Sequence, residues 1–118
     1  MLKELGGVRV FVSDAKVADD RDAVQLIVDA HYGHQAEWVA VTPEQLGDEF
    51  FELRTGRAGG ITQKFVTYRM GLAVVGDIAQ QVAESTSLAD WVRESNRGRS
   101  LWFVPDLHAL AARLEDRQ

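Results

Sequence analysis

The seven residues GLAVVGD, Gly71 to Asp77, decide how this chain is built. A run this short and this apolar, closed by a glycine and an acid, reads as a strand buried on both faces, the kind found inside parallel sheets. A parallel strand needs a long crossover to each parallel neighbour, so helices are expected on either side of it. Upstream, Ile61, Phe65 and Tyr68 or Val66 recur at helical spacing up to about Met70. Downstream, SLADWVRESNR, residues 87 to 97, is an amphipathic segment that Ser87 can open, with Asp90 three residues on, and that Gly98 ends.

The alternation continues outward. AEWVAVT (36–42) is a second apolar run rich in β-formers, and in the TPEQ that follows from Thr42, Thr42 can cap, Pro43 takes the first helical position and Gln45 can reach back. DEFFELR (48–54) makes a turn or two before Gly56 ends it. From Asp20 to Gly33 the period is helical: Ala23, Val24, Ile27, Val28 and His31 share a face, and Asp19, Asp20 and Asp22 sit where the helix dipole favours negative charge. LKEL and VRVFVS, joined by Gly6 and Gly7, form a hairpin. SLWFV (100–104) is the last strand, and PDLHALAARLEDRQ (105–118) a capped final helix with Leu107, Leu110, Ala111 and Leu114 inward. The order is hairpin, α, β, α, β, α, β, α. It predicts one small α/β domain over residues 1–118, with a mainly parallel sheet and an antiparallel first strand at an edge.

Composition narrows the function classes. A chain of 118 residues is the size of one domain, and a formal charge of −5 argues against general adhesion to nucleic acid, which rests on neutralising phosphates with many cations. There is no cysteine, so disulfides and Cys-ligated metal are excluded. No stretch has the length and apolarity of a membrane span, and the N-terminus lacks the apolar core of a secretion signal. A cytoplasmic protein without a cofactor is the expectation.

EFFELRTGRAG (49–59), QKFVTYR (63–69), LAVVGD (72–77) and ESNRGR (94–99) together resemble the bacterial family called domain of unknown function 4180, over nearly the whole chain. The chain departs from the family pattern at Gly60, where an acid is common, and at Thr62, where an apolar residue is. Less specifically, the element order resembles the STAS fold of anti-sigma factor antagonists and sulfate-transporter tails. That resemblance implies a loop, here Thr42 to Gly60, presenting a Ser or Thr to a kinase. The Asp-Ser-Ser-Gly-like signature of the antagonists is absent, and fold likeness alone transfers no function.

The glycine-rich RTGRAGG (54–60) is the first candidate site. Unpaired N–H groups at a helix start and glycines that admit close approach would let an anion or small ligand sit on Arg54, Thr55, Gly56, Arg57, Gly59 and Gly60. The spacing fits neither a P-loop nor a dinucleotide fingerprint. The plainer alternative is a turn in which Gly56 ends one helix and Gly59 or Gly60 allows close packing of the next. Thr55 is a candidate phosphosite between two arginines, or else a helix cap. Asp77 closes a buried strand at the carboxyl edge, where ligands gather in open α/β sheets, and a cap or salt bridge explains it as well.

Other motifs are weaker. Arg93, Arg97 and Arg99 invite nucleic acid, but residues 97 to 99, with Arg69, belong at the opposite, amino edge of the sheet, where basic helix ends are ordinary. His31 and His34 lack a third metal ligand of convincing spacing. No nucleophile elbow or carboxylate pair nominates catalysis. The expectation is a non-enzymatic binding or regulatory module with a protein partner or a second copy of itself, docking through an exposed sheet edge or apolar helix face. The alternative is a small-ligand or anion pocket, or a weak enzyme, at the 54–60 loop and Asp77.

Overall fold

The computed structural model describes residues 1–116. Five strands, β1 (Leu2–Leu5), β2 (Val8–Val12), β3 (Trp38–Val41), β4 (Gly71–Val75) and β5 (Leu101–Val104), form one sheet in chain order. The β1/β2 pair is antiparallel with Leu5 opposite Val8, and the remaining three pairs are parallel. The expected architecture, an N-terminal hairpin followed by a mostly parallel sheet alternating with helices, is the one observed.

The helices are α1 (Asp20–Val28), α2 (Pro43–Leu46), α3 (Arg57–Thr67), α4 (Ala79–Glu84), α5 (Thr86–Arg97) and α6 (Leu107–Asp116). A π-helical segment, Asp29–Gly33, extends α1, and two 3₁₀ turns, Asp48–Phe51 and Leu53–Thr55, join α2 to α3. The sequence assigns Arg117 and Gln118 to the last helix; they lie outside the described residues.

Strand alternation sends side chains to two cores. Val39, Val41, Leu72, Val74, Leu101 and Phe103 meet Ala23 and Ile27 of α1, Ile61 and Phe65 of α3 and Leu88 of α5 on one face. Trp38, Ala40, Ala73, Trp102 and Val104 meet Leu110 and Leu114 of α6 on the other. On that second face Trp38 stacks on Trp102 with ring centroids 4.4 Å apart, and the Arg113 guanidinium lies 4.2 Å from the Trp102 centroid. Gly71 stands directly across from Trp38 in the β3/β4 register, and the indole lies where a Gly71 side chain would be.

Local differences from the sequence reading have physical causes. The buried stripe of α1 runs through Ala23, Leu26, Ile27 and Ala30, while Val28 and His31 are exposed. Ala30 and His31 fall in the π-helical segment, where the regular spacing of α1 no longer holds. Helix α5 starts at Thr86, not Ser87, because the Ser85 hydroxyl accepts the Leu88 N–H at 3.1 Å. Helix α4 goes beyond the sequence reading: it is only six residues long, none of them fully buried, with Val82 packed against the core in part, so its apolar period is too short to stand out. The Thr42 cap is as expected: its hydroxyl accepts the Gln45 N–H while the Gln45 side chain accepts the Thr42 N–H.

The two sheet edges differ. At β5, the Asn96 side chain accepts the Phe103 N–H at 2.7 Å and so occupies a group that another strand would use. At β1, the strand is only four residues long and carries Lys3 and the exposed Glu4.

Candidate functional site

Because β3 and β4 are parallel, the segment after Val41 and the segment after Val75 leave from the same carboxyl edge. They meet there: a Cβ on Gly76 would come within 2.7 Å of the Pro43 ring. Beyond that contact a groove of about 720 Å³ opens between the Asp48–Arg54 segment and the α4/α5 junction. One wall carries Asp48, Glu52 and Arg54, the other Gln80, Gln81 and Glu84, with Phe51 and Leu53 supplying apolar surface.

Of the residues singled out from sequence, Arg54 lines this groove and is exposed. Thr55 sits on the 3₁₀ turn behind it. Its hydroxyl lies 2.8 Å from the Glu49 carbonyl and 2.9 Å from the Glu52 carbonyl, and it accepts the Arg57 N–H at 3.2 Å. One proton shared between two carbonyls ties the groove wall to the start of α3. Gly56 takes the left-handed conformation, φ 79°, that ends the turn and admits the chain to the helix.

Arg57 points away from the groove. Its guanidinium pairs with Glu49 at 3.1 Å and donates to the Ala18 carbonyl, which fastens the β2–α1 connection to the 3₁₀ turn. Gly59 and Gly60 belong to α3. A Cβ at Gly59 would meet nothing within 4 Å, and one at Gly60 only the Asp20 side chain at 3.9 Å, so neither is required by packing. Asp77 is exposed and its carboxylate accepts the Ala79 N–H at 2.9 Å, opening α4. Of these residues the structure therefore places only Arg54 on the groove lining, with Thr55 behind that wall and Asp77 at the start of α4, which forms part of the other. It directs Arg57 and Gly60 toward the β2–α1 side.

Sequence reasoning missed α4 and with it half of the groove. Its six residues AQQVAE carry Ala79, Val82 and Ala83 at helical spacing, but over little more than one turn, and the other available signal was Asp77, whose acid two residues before Ala79 is a local turn former. At the amino edge, Arg69 and Arg99 both line a second groove, with Gly71 and Ser100. Arg93 and Arg97 stay on α5, paired within the helix to Asp90 at 3.1 Å and Glu94 at 3.9 Å. His34 stacks on Phe11 at 4.6 Å and His31 packs edge-on to Tyr32 at 4.7 Å. Among the described residues no group of three metal-ligating side chains converges, and no helix is long and apolar enough to cross a membrane.

The fold and its loop-built carboxyl edge define a small α/β domain with an open surface trough. The chain belongs to the family described as Domain of unknown function (DUF4180), whose model matches residues 7–114. No curated protein and no solved structure matches it.

Proposed function

We propose that this chain is a non-enzymatic binding and regulatory module that docks a protein segment in the groove at the carboxyl edge. The observation that carries the proposal is the groove itself: open to solvent, with the 3₁₀ turns of the β3–α3 connection on one side, the α4/α5 junction on the other, and hydrogen-bonding side chains on both. Loops at such strand ends are where binding residues concentrate on rigid scaffolds. Asp48, Glu52 and Glu84 outnumber Arg54 there, so a segment bearing Lys or Arg is the complementary partner. A STAS-like fold and a cytoplasmic setting belong to the same proposal; the hairpin-then-alternating element order supports the first.

Regulation would act at Thr55. Phosphorylation removes the proton shared by the Glu49 and Glu52 carbonyls, loosening the groove wall, and sets a dianion between Arg54 and Arg57. The rival, a small anion or ligand held by Arg54, Thr55, Gly56, Arg57, Gly59, Gly60 and Asp77, gains less from the geometry. Arg57, Thr55 and Asp77 are already engaged in internal hydrogen bonds.

The test is a photo-crosslinking amino acid at Gln81, in the groove, against one at Gln25, exposed on α1, in the native host. A discrete adduct from position 81 that weakens in Glu52→Lys and Glu84→Lys backgrounds is expected. The same adducts from both positions, or none from 81, would discard the groove as a docking site. Phosphothreonine installed at position 55 should change the adduct yield; an equal yield would remove the regulatory half.

A further inference from the structure

The amino edge carries a different feature. Helix α3 ends with the Met70 N–H donating to the Phe65 carbonyl at 2.9 Å and the Arg69 N–H to the Val66 carbonyl at 3.1 Å. This double closure places Arg69 in the left-handed region, φ 57°, at the position that glycine usually fills because a Cβ is strained there. The π-helical end of α1 closes similarly, with Gln35 at φ 55° and the Ala36 N–H donating to the Ala30 carbonyl at 2.9 Å. Gly33 lies two residues away yet does not occupy the left-handed position. These are the two described residues other than glycine with positive φ, and both line one groove of about 620 Å³.

That groove has the ingredients of a ligand site. Its floor includes the buried Trp38, Phe65 and Met70, and its rim the exposed Tyr68, Arg69 and Arg99, two cations against the one acid of the lining, Glu37. Arg69 comes from the α3–β4 turn and Arg99 from the α5–β5 turn, and neither forms an ion pair with a described residue. Two cationic forks from separate elements beside an aromatic surface complement a planar anion: the guanidinium groups take the charged head in bidentate fashion, and the ring lies on the tyrosine. The volume lies within the range of small-molecule sites. Left-handed residues other than glycine, at two helix ends that line one groove, single that groove out for a test of function.

We propose that the amino-edge groove binds a small organic anion with a carboxylate or phosphate head and an aromatic ring, with Arg69 and Arg99 holding the head. This site is independent of the carboxyl-edge groove. The test is an amide-resolved NMR titration of the intact chain with phenyl phosphate and, in parallel, phenylacetate and inorganic phosphate. Saturable shifts are expected at Arg69, Gly71 and Ser100, with a dissociation constant of about 1 mM for an aromatic anion of this size. Inorganic phosphate should bind about tenfold more weakly for want of the ring contact. Binding of either aromatic anion supports the proposal and identifies the head group.

Arg99→Ala should remove the shifts with an unchanged Tm. Arg69→Gly should remove them while leaving Tm equal or higher, since glycine relieves the left-handed strain. A merely structural arginine would not separate the two readouts in this way. Shifts that persist in both variants, or spread over the whole surface, would overturn the proposal. So would concentration-dependent broadening of the same amides without probe, which would make the groove a contact between copies of the chain.

Discussion

Adding one methyl group at Gly71 should damage this protein more than most larger changes on its surface. A Cβ built at Gly71 would lie 2.2 Å from Cδ2, 2.3 Å from Cε2 and 2.7 Å from Cε3 of Trp38. Carbon atoms rest about 3.5–4.0 Å apart, so the ring or the strand must move by about 1.5 Å. The ring is rigid, only 2% exposed, and stacked on Trp102, which is itself covered by Arg113. Overpacking a core that can yield costs about 1–3 kcal/mol, and a stacked indole pair places Gly71→Ala at the upper end. At about 3–6 °C per kcal/mol for a domain of this size, Tm should fall by about 10 °C or more.

Thermal unfolding followed by far-UV circular dichroism measures the shift, and near-UV spectra report the displaced tryptophans. The double mutant is decisive: in a Trp38→Leu background, Gly71→Ala should cost less than about 1 kcal/mol, because the partner that it strikes has gone. A Gly71→Ala protein with unchanged Tm and near-UV spectrum, or a cost equal in both backgrounds, would refute the steric account.

Three other expectations follow from the same geometry. Gly59→Ala should raise stability by about 0.5–1 kcal/mol, since the site is helical and open around the missing Cβ; a lower Tm would show a packing role that the structure does not contain. Asn96→Ala should cost about 1–2 kcal/mol by orphaning the Phe103 N–H and should expose the β5 edge, read by urea unfolding and by light scattering; a stable, monodisperse variant would contradict this. Thr42→Ala should cost about 1 kcal/mol through loss of the capping box, and Thr42→Ser should restore most of it, with no difference between the two counting against the cap.

What could be read without coordinates was whatever local chemistry enforces. The apolar runs at Trp38–Val41, Gly71–Val75 and Leu101–Val104 are short, continuous and rich in β-formers, which reads as buried strands, and the amphipathic segments between them dictate crossovers. From that followed the parallel direction and the placing of Thr42 and Asp77 at one edge, with Arg69 and Arg99 at the other. Side-chain destinations were decided only by tertiary packing. Arg57 turns toward Ala18, 39 residues away in sequence; Trp38 takes the space that Gly71 leaves; and the six-residue α4 becomes a groove wall by facing the 48–54 turns across an open gap. Periodicity encodes which face of a segment is buried, but a contact between distant polar residues leaves no period in the chain, so both grooves exist only once the strands are laid side by side.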